Sequence, residues 1–308
     1  MQDLTIRPAT LADVTSITAV HCSTVDEWRD PKTRQPASYA ALDLFGRWYN
    51  GGPWMSPEMC AVHLNHLLLE GHFPLVAEVE GALVGEAEYY LNREPAPFGP
   101  GLHLSILYIH AAWQKHGVGR ALIDAGVELA RCLGLAALTT QPEPEASGFY
   151  TRAGFLPWLH AREMQLDTGG PLPVGLAPMQ RDTGLPEHLA LRIGRYQCGV
   201  QGWDGLWPYL ALPGFQNLNR WVWSGEVERI PVILGLREQL GEPTQVDGYA
   251  WLPPDAPLAS AVSALRALAA QERFTAVDLL LPETSLPELR AIFQLDYQTA
   301  LDLWARYV

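Results

Sequence analysis

The sequence predicts an α/β protein built as two domains, each a sheet flanked by helices. Segments of strand period and helix period alternate along all 308 residues. That length is about two domains' worth at the usual ~100–200 residues each. The order of elements in the second half also broadly repeats that of the first, as a duplication of one fold would, although the halves share little identity.

The elements of the first half follow in order. Leu4, Ile6 and Pro8 alternate with Thr5 and Arg7, a strand ending at the proline. Thr10-Leu11-Ala12-Asp13 has the spacing of a capping box, and Leu11, Val14 and Ile17 face one side of the helix that follows. A loop rich in charge, Pro and Gly runs from about Asp26 to Pro57, with a helical turn near Ala40–Trp48. An amphipathic helix spans Pro57 to Glu70. Residues 74–79 and 82–91 read as a hairpin turning at Glu80-Gly81, and His103–His110 as a further apolar strand. From Gly119 a helix carries Leu122, Ala125, Leu129 and Leu133 on one face, and Gly134 suits its C-cap. A short strand at Leu135–Gln141, a short helix at Ala146–Arg152 and a final strand region at Gly154–Asp167 complete the half.

The Pro/Gly-rich stretch 168–179 reads as a linker, so the expected domains are 1–168 and 169–308. Beyond it, Leu185–Cys198 and Ser260–Glu272 are predicted helices. Ile230–Leu236, Val246–Leu252 and Val277–Leu281 are predicted strands. A second capping-box spacing at Ser285–Glu288 opens a helix to about Phe293, and Thr299–Val308 alternates as a terminal strand.

Composition excludes several classes. With 48% hydrophobic and 18% charged residues, the chain can bury a sizeable core and is not a disordered segment. Its net charge of −13 is spread evenly, with 18 acids against 11 bases in 1–165 and 16 against 10 in 166–308. No basic stripe tracks a phosphate backbone, so nucleic acid is not an expected partner. No uninterrupted apolar run of ~18 residues and no secretory signal pattern is present. Cys22, Cys60, Cys132 and Cys198 are scattered without a CxxC pair, which suits reduced thiols in a cytoplasmic protein.

One motif carries chemistry. Gln114-Lys115-His116-Gly117-Val118-Gly119-Arg120 lies between a strand and an amphipathic helix. Two glycines at that spacing let the backbone turn tightly, with successive amides aimed at one spot. That spot is also a helix N-terminus, where unpaired amides and the helix dipole favour an anion. Lys115 and Arg120 add positive charge in an otherwise acidic chain. Neither GxxxxGK[ST] nor GxGxxG is present, so this is a pyrophosphate cradle of another kind.

These residues resemble the GNAT family of N-acetyltransferases. The family signature Q/R-x-x-G-x-G/A is met by Gln114, Gly117 and Gly119. A second family pattern, A-x-x-FY-x-x-x-GF, is met by Ala146, Phe149, Tyr150, Gly154 and Phe155. The resemblance covers residues 3–167. It implies a mixed, mostly antiparallel central sheet flanked by helices, arranged here as a tandem of two such domains. It also implies acetyl-CoA as acyl donor, its pyrophosphate on the amides of Lys115, His116, Gly117, Val118, Gly119 and Arg120. The pantetheine arm would pair with the backbone of Leu107, Tyr108 and Ile109 as an added strand. Tyr150 stands where many members place the general acid for the leaving thiolate.

For the base, the resemblance points to His103, fourteen residues before Gly117, where the histone-acetylating branch has a glutamate. An imidazole with a reference pKa of ~6.5 suits that task, and Glu86 and Glu88 on the adjacent strand are rivals. Glu143 replaces an asparagine that contacts the coenzyme in several members. Spacing puts His63 and His66 on one helix face, but no Cys or carboxylate at ligand spacing accompanies them and His72, so no metal is expected. Trp28, Trp48 and Trp54 fall where GNAT proteins build the acceptor wall, a position that plain packing explains as well.

The second half has no Q/R-x-x-G-x-G. Its corresponding helix is preceded by Leu252-Pro-Pro-Asp-Ala-Pro257, and prolines lack the amides a cradle needs. The expectation is therefore a degenerate GNAT-like repeat or an accessory α/β domain, with Trp203, Trp207, Trp221, Trp223, Trp251 and Trp304 in its core or over the acceptor site. The whole reads as a cytoplasmic N-acetyltransferase, a monomer or homodimer, acting on a primary amine by direct attack on the thioester. The alternative is a non-catalytic acyl-CoA sensor.

Overall fold

The structure, a computed structural model, describes residues 4–92, 99–180, 184–186, 188–194, 198–207 and 209–308. In the first half the strands are β1 (Leu4–Pro8), β2 (Phe73–Val79), β3 (Ala82–Asn92), β4 (Gly101–Ile109), β5 (Ala137–Thr140), β6 (Leu156–Leu159) and β7 (Ala161–Asp167). The helices are α1 (Val14–Cys22), α2 (Leu44–Tyr49), α3 (Pro57–Leu69), α4 (Val118–Cys132) and α5 (Ser147–Arg152). In the second half β8 (Leu176–Pro178) and β9 (Ala190–Ile193) precede α6 (Gly199–Gly205). Then come β10 (Arg220–Val227), β11 (Ile230–Gln239), β12 (Glu242–Leu252), α7 (Ala259–Gln271), β13 (Ala276–Pro282), α8 (Leu286–Arg290), β14 (Asp296–Ala300) and β15 (Leu303–Tyr307).

Two sheets form, and each takes a strand from the other half of the chain. The first has the order β1-β2-β3-β4-β5-β15-β6 and the second β14-β7-β13-β12-β11-β10-β8. Neighbours run antiparallel except at β4–β5 and at β12–β13, which are parallel. The expected strand region 154–167 is thus two strands in different sheets, and the expected terminal strand 299–308 likewise.

Chain geometry accounts for the exchange. Only His160 separates β6 from β7, and only Leu301 and Asp302 separate β14 from β15. A one-residue connection is too short for the two-residue turn of a tight hairpin, so β7 runs on into the neighbouring sheet. The two crossing points hold each other: the Leu301 amide donates to the Ala161 carbonyl, and Asp302 accepts from His160 and Arg162. The Glu283 amide also donates to the His160 carbonyl.

The cores are separate. In the first, Leu122, Ile123 and Val127 of α4 pack on Tyr89, Leu102, Leu104 and Leu138 of the sheet. Gly126 is required there, because a Cβ would lie 2.3 Å from the Tyr89 ring, whose hydroxyl donates to the Leu122 carbonyl. In the second, Val262, Leu265 and Leu268 of α7 pack on Leu234, Leu236, Val246 and Val277.

Among its described residues the predicted helix 185–198 is not formed. Its described apolar centre is the strand β9, because the gap it fills has strand geometry. After Gly248 pairs with Leu279, β12 and β13 part. There β9 pairs with β12 at Ala250, Trp251 and Leu252, and the Gly194 amide donates to the Leu280 carbonyl of β13.

Candidate functional site

The equivalent gap in the first sheet is where the motif residues converge. β4 and β5 pair only at Leu102–Leu138, His103–Thr139 and Leu104–Thr140. β5 then stops, followed by Gln141-Pro142-Glu143-Pro144, and Ser105 bulges out of the ladder with β3. Beyond that apex Leu107, Tyr108 and Ile109 keep β3 on one side and leave their other edge open.

The open edge forms one wall of a groove of about 800 Å³. The Gln114–Arg120 segment forms its end. Gly117 caps α4 at φ +84°, a left-handed conformation that costs an L residue roughly 1–2 kcal/mol. Gly119 lies against the Phe149 ring, where a Cβ would be 3.3 Å from Cζ. Lys115, Gly117, Gly119 and Arg120 all line the groove. The Arg120 guanidinium is held by Asp124 at 3.0 Å and by the Arg152 carbonyl at 2.8 Å.

The remaining motif residues sit elsewhere. Val118 is buried beneath the groove floor against Gly85. The exposed His116 turns back on the Gln114 carbonyl at 2.8 Å.

Tyr150 reaches the apex from the α5 side. It lines the groove, stands edge-on to Phe149 and Phe155, and is hydrogen-bonded to Thr140, the last residue of β5. Burial pushes its phenol pKa up, partly offset by the bond to Thr140. A phenol that keeps its proton at neutral pH can serve as a donor.

His103 is not brought into the groove. It lies below the apex in the paired part of β4, buried, with Nδ1 3.0 Å from the Thr139 hydroxyl. Burial depresses its pKa to about 4.

Its rivals lie in a polar cluster on the face of the sheet turned away from α4. Tyr89 points to α4, so Glu88 and Glu86, one and three residues before it, face α1 and α3. Glu86 is 2.6 Å from His21 Nε2. Burial raises the Glu86 pKa, with the Glu88 charge adding to the effect, and burial lowers that of His21 to about 3. Glu88 Oε1 accepts from Trp54 Nε1 at 2.7 Å and from His63 Nε2 at 2.9 Å. His21 is stacked between Trp54 and Tyr108, which joins this cluster to the groove wall.

The second half completes the cluster. Tyr209 reaches His63 Nδ1 at 2.6 Å and stacks on His66. Asp204 accepts from His66 at 3.1 Å and lies 3.5 Å from His72. The Gln201 amide nitrogen donates to Ser105 at the apex. Sequence reading missed His21, Gln201 and Tyr209, whose roles depend on contacts 65, 96 and 146 residues away. Of the tryptophans expected at an acceptor wall, Trp54 is in the cluster. Trp48 packs on Phe45 and Phe215, and Trp28 on Tyr39.

In the second half the corresponding gap is filled by β9. Arg192 donates to the carbonyls of Pro253 and Pro254, at the start of the proline segment that replaces the cradle. Trp203 and Trp251 meet edge-on in a core behind it.

Residues 33–155 match the model of the acetyltransferase (GNAT) family. That match falls within the first half of the chain, on the segment that holds the groove's glycine turn and Tyr150. Across the whole chain the likeness to solved structures is one of fold. A GCN5-related N-acetyltransferase from Anabaena variabilis aligns with a TM-score of 0.62 at 12% identity, over 98% of this chain and 72% of that one. One from Kribbella flavida aligns at 0.56 and 12% identity, over 99% and 71%. A Pyrococcus horikoshii protein aligns at 0.55 and 14%, over 100% and 90%. No curated protein matches the chain. Acyl transfer is the general chemistry that family and fold support. Among the described residues no helix is long and apolar enough to cross a membrane.

Proposed function

We propose that the protein is an N-acetyltransferase that moves an acetyl group from acetyl-CoA to a primary amine, the amine attacking the thioester directly. One observation carries this reading: the open strand edge, the glycine-capped helix start and the Tyr150 hydroxyl all line a single groove.

Each part has a task in that reading. Leu107, Tyr108 and Ile109 offer backbone donors and acceptors to the amides of the pantetheine arm, as a strand would. The amides of the 115–120 turn, with Lys115 and Arg120, take the pyrophosphate at the positive end of α4. Tyr150, at the point where the strands part, gives a proton to the departing thiolate. Residues 1–168 supply this machinery together with β15, and 169–308 cover the acceptor side.

Isothermal titration with acetyl-CoA tests the reading. Micromolar binding is expected for the native chain. It should be lost in a Gly117→Asp, Gly119→Asp variant, which sets carboxylates where the pyrophosphate would lie. A native chain that binds no acetyl-CoA sinks the proposal.

A further inference from the structure

If the groove binds acetyl-CoA, the acceptor must still lose a proton and be aimed at the thioester, and none of the groove's described lining residues is a carboxylate or an imidazole. Glu88 is placed to do both. It pairs with Ile106, the residue after the bulge at which β4 leaves β5. Tyr150 meets the same apex from the β5 side through Thr140. Base and acid therefore approach the reacting centre from opposite directions.

Glu88 is 1% exposed, yet only one of its oxygens is used. Trp54 and His63 both donate to Oε1, while Oε2 has no hydrogen-bond partner among the described residues. Gln201 Oε1 is a second buried acceptor in the same condition, carried by the side chain that hydrogen-bonds Ser105 at the apex. Buried acceptors left unpaired are costly, and each of these suits a ligand that brings N–H donors. A primary ammonium has three, whereas an alcohol or thiol has one.

His63 orients the carboxylate. With the Tyr209 hydroxyl donating to Nδ1, the ring proton sits on Nε2 and is given to Glu88. Titratable groups around this site are Glu86 and Tyr90 on the same strand, His21 on α1, Cys60 and His63 on α3, Tyr108 on β4 and Tyr209 from the second half.

We infer that Glu88 is the anchor and base for a cationic primary amine, and that Tyr209 is a positioning residue acting on it through His63. The inference rests on the acetyl-transfer reading. The ammonium gives one proton to the Glu88 carboxylate, and its nitrogen lone pair forms the C–N bond as the C–S bond breaks. The thiolate takes a proton from Tyr150, which regains one from the nitrogen as the amide forms. Glu88 returns its proton to solvent, so the sum is acetyl-CoA plus ammonium giving amide, thiol and one proton.

The test follows thiol release from acetyl-CoA with propylamine, putrescine and tyramine between pH 6.5 and 9. In the native chain the rate with the best of these amines should vary little with pH, because the ammonium, the abundant form, is deprotonated on the protein. Glu88→Gln keeps the acceptor for Trp54 and His63 but takes no proton. It should lower kcat/KM for the amine ~10²-fold near pH 7, and the remaining rate should climb about tenfold per pH unit as free amine appears. Acetyl-CoA affinity should not change. Tyr209→Phe, which leaves Glu88 in place, should lower kcat/KM several-fold with the KM for acetyl-CoA intact. A Glu88→Gln chain with native rate and pH profile overturns the inference. So does a native chain that binds acetyl-CoA but acetylates none of the three amines. Failure to bind acetyl-CoA overturns the acetyl-transfer reading itself.

Discussion

Deleting residues 303–308 removes β15, a strand encoded at the far end of the chain but built into the middle of the first sheet. It pairs with β5 at four positions and with β6 at three. Leu303 is fully buried, and re-exposing it costs about 2–3 kcal/mol. Each ladder hydrogen bond contributes about 1 kcal/mol net, and the deletion loses several while opening two sheet edges. A loss on the order of 5–8 kcal/mol follows, against a stability of about 5–15 kcal/mol for a typical domain. The damage also reaches the site, because Trp304 pairs with Thr140, the residue that holds Tyr150 at the apex. Guanidinium denaturation followed by tryptophan fluorescence, together with acetyl-CoA titration, is the assay. The truncated chain should unfold at much lower denaturant or lack a cooperative transition, and its binding should be lost. A truncated chain with the native midpoint and native affinity would refute the claim that the first sheet depends on the strand it takes from the second half.

Further outcomes are expected. Acetyl-CoA should titrate to one equivalent per chain, because β9 occupies the second gap; two equivalents by calorimetry would contradict that reading. Tyr150→Phe should leave acetyl-CoA affinity unchanged and cut turnover ~10²-fold, and undiminished turnover would remove its role as acid. His103 should make the fold acid-sensitive. Its folded pKa of about 4 lies below the unfolded value of ~6.5, so the unfolded chain binds the extra proton as pH falls between them. Stability then drops by about 1.4 kcal/mol per pH unit across that window and is fully present above it. Denaturation midpoints at pH 7 and 5 should differ less in His103→Gln than in the native chain.

What the sequence by itself determined is local. Gly117 and Gly119 set a turn whose amides converge whatever the rest of the chain does. The Phe149-Tyr150 pair sits on a short helix of its own, and the hairpin turning at Glu80-Gly81 follows from alternation and turn chemistry. These features need only neighbouring residues, so they were legible in the amino-acid order. Periodicity failed where a partner decided the outcome. Apolar residues 189–193 suit either a helix or a strand, and the gap between β12 and β13 made them a strand.

Tertiary structure alone decided the exchange of β7 and β15, because a strand carries no signal for which of two equivalent sheets it will join. The one-residue connection at His160 carries β7 across, and the contacts of Leu301 and Asp302 with His160, Ala161 and Arg162 hold the second crossing beside it. Folding also separated the three carboxyl and imidazole groups that the sequence offered as bases. His103 and Glu88 lie on neighbouring strands, but one is sealed below the apex against Thr139. The other is held beside the apex by Trp54 and His63, with Tyr209 added from the opposite half. Burial and hydrogen-bond partners set each group's surroundings, and both come from residues distant in sequence.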